Sequence, residues 1–351
     1  PLFGEKLVSN AIAGATTFMN GLHPSLTYDM SSNPVISFLS QGTAASSGFL
    51  MVARSNNGGV SFNLDMVDGS TVTTNNVGQH SSAHVSGSNT IGVSYYDFST
   101  GATGQRLKFA KREKNGAWRR YIVDGPGSAG TNGCTTTTST TTGLHSNLEW
   151  TSTGRPVIVY QSSISGIKSL RLAFATEAET SATYTWTCLT LDSTGQGLNS
   201  RGEGIDFWLD SNDLPYIAHY ESTISALRVV TCGSAVLTCA ATGSSAFTGE
   251  RLPYIIGSIL TGASKPGIRP DGTGKIWVSF HGPADAGVFI ASKSAAGVWS
   301  PLAEAIETSP VNLGSTYTGQ YASMSLNASQ NPTVFYRSFE NWIRYFSREA
   351  Q

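Results

Sequence analysis

The stretches NPVISFLS (33–40), NTIGVSYYD (89–97), RPVIVYQSS (155–163), LPYIAHYES (214–222), GKIWVSFHG (274–282) and NPTVFYRSF (331–339) decide the fold. Pro34, Ile91, Pro156, Pro215, Ile276 and Pro332 stand at matching places in them, in steps of 57, 65, 59, 61 and 56 residues. Each stretch is short, β-branched or aromatic, and bounded by turn residues, which is the pattern of a strand and not of a helix. A third strand follows each one: GFLMVARS (48–55), QRLKFAKR (105–112), SLRLAFAT (169–176), SALRVVTC (225–232), AGVFIASK (286–293) and NWIRYFSR (341–348). A fourth opens on an aromatic residue at Phe62, Trp118, Trp186 and Trp299. Four antiparallel strands about every 60 residues describe a propeller blade, so the chain is read as an all-β, six-bladed β-propeller.

The sixth unit ends without a fourth strand, and residues 3–8 form an orphan strand before the first unit. An N-terminal strand paired with residues 341–347 would cover that open edge and close the ring. The blades are expected at about 23–68, 80–124, 145–192, 202–242, 265–307 and 321–351 plus 3–8, in one domain spanning 1–351. The tryptophans that open fourth strands are assigned to the layers between blades.

Composition narrows the function. Only 13% of the 351 residues are charged, and 22 Lys and Arg nearly cancel 23 Asp and Glu. Such a balance gives no basic surface for nucleic acid. Serine and threonine supply 85 residues, yet 10% aromatic content is too much for a disordered hydroxyl-rich chain. No apolar run is long enough for a membrane-spanning helix. The chain opens on Pro1, the mark of a processed protein or of one domain within a larger one.

The four cysteines, Cys134, Cys188, Cys232 and Cys239, fit no zinc or redox spacing. Cys232 and Cys239 flank a short turn between two β-prone runs, so facing strands of one hairpin bring them within bridging distance. Cys134 is then left for Cys188. Two disulfides fit an oxidising compartment, outside the cell or on its surface. Four buried thiols in a cytosolic protein are the other reading.

The turn Ser55-Asn56-Asn57-Gly58-Gly59-Val60-Ser61-Phe62 resembles the Asp-box, Ser-x-Asp-x-Gly-x-x-Trp, with Asn57 in the Asp place and Phe62 in the Trp place. Residues 111–118 and 292–299 are weaker relatives at the same blade position. On these turns and the blade repeat, the chain resembles the sialidase-like propeller superfamily, including its noncatalytic bacterial surface members. The resemblance implies a hairpin-stabilising role for the box. It also sets what a sialidase requires: an arginine cluster, a tyrosine nucleophile with a glutamate partner, and an acid–base carboxylate. That set does not map residue by residue onto this chain. Fold alone does not carry the activity over.

In a propeller, the loops that enter first strands and leave second strands share one face, the usual ligand face. His23, His80 and His145 recur in one register at first-strand entries, with Gly202, Lys265 and Tyr321 at about the same place in later units. Second-strand ends add Tyr96, Asp97, Gln161, Glu221, His281 and Arg337. Imidazole, phenol, amide and carboxylate groups suit the hydroxyls of a glycan. A repeated structural bond is the competing account of the histidines. Neither a metal nor a cofactor is expected.

Three functions fit these residues. The first is an extracellular bacterial carbohydrate-binding or adhesin module for a surface glycan, with no chemical step. The second is a glycoside hydrolase or polysaccharide lyase, with Asp97, Glu203 and Glu221 as its carboxylate suspects. The third is a structural, protein-binding propeller, oligomeric at a fibre tip. The Thr-rich insertion at 135–142 would wall a groove, extend a sheet or contact another subunit.

Overall fold

A computed structural model describes residues 19–41, 48–69, 76–99, 105–127, 132–134, 140–164, 166–192, 201–222, 226–253, 265–281, 287–307, 320–337 and 343–348. The proposed closing strand at 3–8 and most of the Thr-rich run lie outside these residues.

Six antiparallel sheets follow one another along the chain, each in simple up-and-down order. The first contains β1 (Met19–Tyr28), β2 (Pro34–Gln41), β3 (Gly48–Arg54) and β4 (Asn63–Asp68). Next come β5 (Val77–Val85), β6 (Ile91–Asp97), β7 (Arg106–Arg112) and β8 (Trp118–Asp124). The third sheet has β9 (Thr140–Trp150), β10 (Pro156–Ile164), β11 (Ile167–Ala175) and β12 (Trp186–Asp192). The fourth has β13 (Glu203–Leu209), β14 (Pro215–Glu221), β15 (Ala226–Thr231) and β16 (Thr248–Arg251). The fifth comprises β17 (Gly267–Pro270), β18 (Ile276–His281), β19 (Val288–Lys293) and β20 (Glu304–Glu307). Three strands, β21 (Gln320–Leu326), β22 (Pro332–Arg337) and β23 (Ile343–Ser347), are described in the sixth. These sheets are the six blades that the repeat implies.

By its internal contacts the chain divides into two compact units, residues 1–166 with 171–190, and residues 167–170 with 191–351. In the first, the leading strands β1, β5 and β9 are neighbours. In the second, β13, β17 and β21 are neighbours.

One side-chain device sets the register of all six blades. At the turn between first and second strands, a short acceptor sits five residues before the Pro or Ile of the second strand: Asp29, Ser86, Thr151, Asp210, Asp271 and Asn327. In five of these turns the acceptor oxygen takes the backbone N–H groups two and four residues on, as Asp29 does from Ser31 and Asn33. In the sixth, Thr151 Oγ1 takes the N–H of Arg155. Local side-chain bonds of this kind close the turn without help from the rest of the fold.

The Asp-box-like turn is structural as well. Asn57 Oδ1 accepts from Ser61 N at 2.9 Å, and Ser55 Oγ accepts from Gly59 N at 2.8 Å. Aromatic residues fill the layers between sheets. Phe109, Trp150, Tyr184 and Trp186 meet in one buried cluster of the first unit, mostly edge to face.

Both disulfides form, Cys134–Cys188 and Cys232–Cys239. The setting of the second differs from the hairpin expected of it. Cys239 lies on a short helix, α1 (Val236–Thr242), between β15 and β16. Val236, Cys239 and Ala240 bury one face of that helix, an i, i+3, i+4 pattern too short to stand out beside β-prone runs.

Candidate functional site

Two constellations have the chemistry of a site, one in each unit. The first is a row of histidines. His23, His80 and His145 occupy β-bulges at equivalent points of β1, β5 and β9, where the pairing register shifts. Each sits in the left-handed region, at φ 50°, 51° and 53°. Non-glycine residues adopt it uncommonly, Asn, Asp and His more readily than the rest, and the strain costs about 1–3 kcal/mol. The bulges are pinned between blades: Ser81 Oγ donates to the His23 carbonyl at 2.9 Å, and Ser146 Oγ donates to the His80 carbonyl at 2.8 Å. The rings stand in file, His80 with His23 and His145 at centroid distances of 4.6 Å on either side. Tyr96 comes next, 6.4 Å from His80, and Phe98 follows 5.8 Å from Tyr96. His23 is exposed, His80 and His145 are half-buried, Tyr96 beside His80 is buried, and Phe98 is 42% exposed.

Burial holds His80 well below the ordinary imidazole pKa, and the neighbouring His145 and His23 add to this. His23 is lowered by burial as well. His23 and His80 are therefore neutral at pH 7. Burial also raises the Tyr96 phenol, which stays protonated.

The same register continues in the other blades with different residues. Pairing of Glu203 with Tyr220 and of Asp206 with Ala218 puts Gly204, at φ 56°, in the histidine place of the fourth blade. The expected equivalent, Gly202, is two residues early. Lys265 holds the place in the fifth blade, exposed, with Nζ 3.9 Å from Asp206. Tyr321 holds it in the sixth by register with β22.

The second-strand ends do not form one set. Strand side chains alternate between faces, so neighbours in sequence point apart. Tyr96, Gln161, His281 and Arg337 share one position in register, five residues after the strand's Pro or Ile. Gln161 and His281 are both buried, and the His281 N–H donates to the Tyr220 hydroxyl at 3.2 Å. Asp97 and Glu221 stand one residue further on and turn to the other face, into ion pairs. Asp97 is 2% exposed, with Arg106 Nε at 3.0 Å and Lys108 Nζ at 3.7 Å. Grouping them with Tyr96 as one ligand-facing set is corrected by this alternation.

Glu221 belongs to the second constellation, an acid–arginine cluster in the second unit. Its carboxylate is fully buried and has Arg201, Arg228 and Arg251 at 3.4–3.5 Å. Asp192, at the end of β12, pairs with Arg201, with Arg228 Nε at 2.7 Å and with His219 Nε2 at 3.6 Å. His219 Nδ1 lies 3.1 Å from the Gly202 N and 3.3 Å from the Tyr220 carbonyl oxygen, and its Nε2 faces Asp192. Burial pushes the Asp192 carboxyl up, but the bonds from His219 and Arg201 and the charges of His219 and Arg228 outweigh it. Its pKa ends well below the carboxylate range. Glu203 pairs with Lys168 at 2.9 Å.

Sequence reading missed Asp192, Arg201, His219, Arg228 and Arg251. A signal for them exists as a repeat. Asp68, Asp124 and Asp192 each end a fourth strand and meet two groups of the following blade: Tyr95 and Lys108, Tyr160 and Arg171, His219 and Arg228. The three acids are clasps between blades first. Among the described residues, no group of three His, Cys, Asp or Glu side chains is placed to hold a metal.

Comparison of the whole fold gives a consistent set of likenesses. A Hadza microbial sialidase matches over 95% of this chain and 66% of its own, with a TM-score of 0.58 and 14% identity. An alpha-L-arabinanase of Penicillium chrysogenum, solved with arabinobiose, matches over 93% of each chain, with a TM-score of 0.56 and 12% identity. This chain shares the β-propeller fold of these proteins. The NanB sialidase of Streptococcus pneumoniae also shares it, over 98% of this chain and 69% of its own, with a TM-score of 0.57 and 8% identity. No protein-family model matches the sequence, and no curated protein does. This chain thus spans about two thirds of the length of the microbial sialidase.

Proposed function

We propose that this propeller is an extracellular carbohydrate-binding or adhesin module that recognises a surface glycan without a chemical step. The observation that carries the reading is the histidine row. Three histidines sit at backbone positions where the fourth blade uses glycine. Retaining strained side chains at all three points to a role for the rings themselves. Neutral imidazoles accept and donate hydrogen bonds, and the exposed Phe98 adds an aromatic face beyond the buried Tyr96, which suits sugar hydroxyls and sugar rings. Lys265, Tyr321 and Arg337 are assigned to the same binding role by register, while Gln161 and His281 are buried.

The carboxylates favour binding over hydrolysis. A glycosidase acid needs a carboxyl whose pKa is raised, and Asp192 is pushed the other way. Asp97, Glu203 and Glu221 are each engaged by cations. The likeness to sialidases and arabinanases supports a glycan as ligand and keeps hydrolysis as the second reading. The paired disulfides support an extracellular setting. The test is a broad array of bacterial and host glycans, with product analysis on each glycan bound. Binding with intact glycan is expected. Cleavage products would establish the hydrolase, and silence across the array would favour a protein-binding propeller.

A further inference from the structure

A row of three imidazoles behaves unlike a single one. His80 lies between His23 of β1 and His145 of β9, each 4.6 Å away by ring centroid. Two imidazolium charges at that spacing repel, and a partly buried site screens them poorly. The observed spacing therefore suits a row whose central ring, His80, is neutral, as is His23.

Among the described residues, the charges that bear most on His80 are those of His145 and His23. Tyr96 of β6 faces it as a neutral phenol. Asp97, next along β6, is turned into its pairs with Arg106 and Lys108. The other histidine of β5 is built differently: His84 Nδ1 lies 3.0 Å from the Glu149 carboxylate of β9. One strand thus carries a histidine with an acid beside it and a histidine set among its own kind.

We infer that the His23–His80–His145 row is a proton-operated latch across the inner strands of the first three blades, closed while its rings are neutral and opened by proton uptake, so that a ligand on this face is released in acidic surroundings. The inference rests on that face being the ligand face, and it extends the reading from recognition to regulation. The sign follows from linkage. A lowered pKa in the closed row means that an opened row binds more protons once the pH drops below the ordinary imidazole value of about 6.5. Closure is then fully favoured above that value and weakens as pH falls towards the lowered pKa.

Amide hydrogen exchange on the ligand-free protein tests the latch independently of any glycan. Exchange of β1, β5 and β9 is compared between pH 7.5 and pH 5, corrected for intrinsic rates. The opening constant is expected to rise up to about tenfold per pH unit below about pH 6.5 for each proton taken up. His80→Gly and His80→Asn both tolerate the left-handed backbone and remove the central imidazole, and both should flatten that slope. A flat slope in the unaltered protein, or the same slope in both variants, overturns the latch while leaving glycan recognition to its own test.

Discussion

At the bulge of the leading strand, blades one to three place His23, His80 and His145 at φ 50–53°, and blade four places Gly204 at φ 56°. The backbone demand is the same, and glycine meets it without strain. At the clasp between blades, Asp68, Asp124 and Asp192 repeat, while the ring that meets them changes from Tyr95 and Tyr160 to His219. The clasp keeps its chemistry across both units because it holds blades together. The bulge changes its chemistry because the backbone alone does not need the imidazole.

The largest stability effect belongs to the clasp. Asp124→Ala leaves Arg171 buried without the carboxylate that takes its Nη1 at 2.8 Å and removes the acceptor of the Tyr160 hydroxyl at 2.6 Å. Loss of one partner from a buried pair should cost about 3–5 kcal/mol in chemical unfolding. A cost below about 1 kcal/mol would show that the clasp is dispensable, in the manner of surface ion pairs.

The two disulfides should differ next. Cys134 and Cys188 are 54 residues apart and Cys232 and Cys239 only 7. Loop-closure entropy gives roughly 4 kcal/mol for the first and roughly 2 kcal/mol for the second. Paired Cys→Ala variants, compared by unfolding midpoint, should rank in that order, and a reversed order would point to local strain or residual structure as the larger factor.

Acid separates the constellations by pH. Burial raises the Asp68 carboxyl, but Lys108 and the bonds from Lys108, Tyr95 and Gly69 bring it below its usual value, and Asp192 lies lower still. Their contribution is complete above about pH 4 and is lost as pH falls through the lowered values. The histidine row weakens earlier, below about pH 6.5. Thermal melting against pH should therefore fall in two stages. His80→Asn should remove the upper stage alone, and survival of that stage would assign it to another group.

The smallest stability effect is expected at the bulge itself. His80→Gly should shift stability by less than about 1 kcal/mol, because relief of strain offsets the freedom glycine gains when unfolded. His80→Val should cost more, since a β-branched residue resists positive φ. Equal losses for both would mean that the ring, not the backbone, is structural.

The sequence made the blades legible because strand alternation and closed turns are local. The matching Pro and Ile positions even carried the turn acceptors, from Asp29 to Asn327, five residues upstream. The helix at Val236–Thr242 was not legible, since seven residues give barely two turns of pattern. The histidine register was visible as a repeat, but its left-handed backbone was not. Gly204 was missed because a bulge changes strand pairing by a residue, which a count from strand ends does not see. The arginine cluster draws on Asp192, Glu221, Arg228 and Arg251 from four strands and on Arg201 just before β13, so no stretch of sequence presents it.

The most direct test of the central claim is binding by the triple variant His23→Gly/His80→Gly/His145→Gly, measured on the glycans that the unaltered protein retains on the array. The account predicts at least a tenfold loss of affinity, about 1.4 kcal/mol, with a melting temperature within a few degrees of the unaltered protein. Unchanged affinity in a folded triple variant would contradict it.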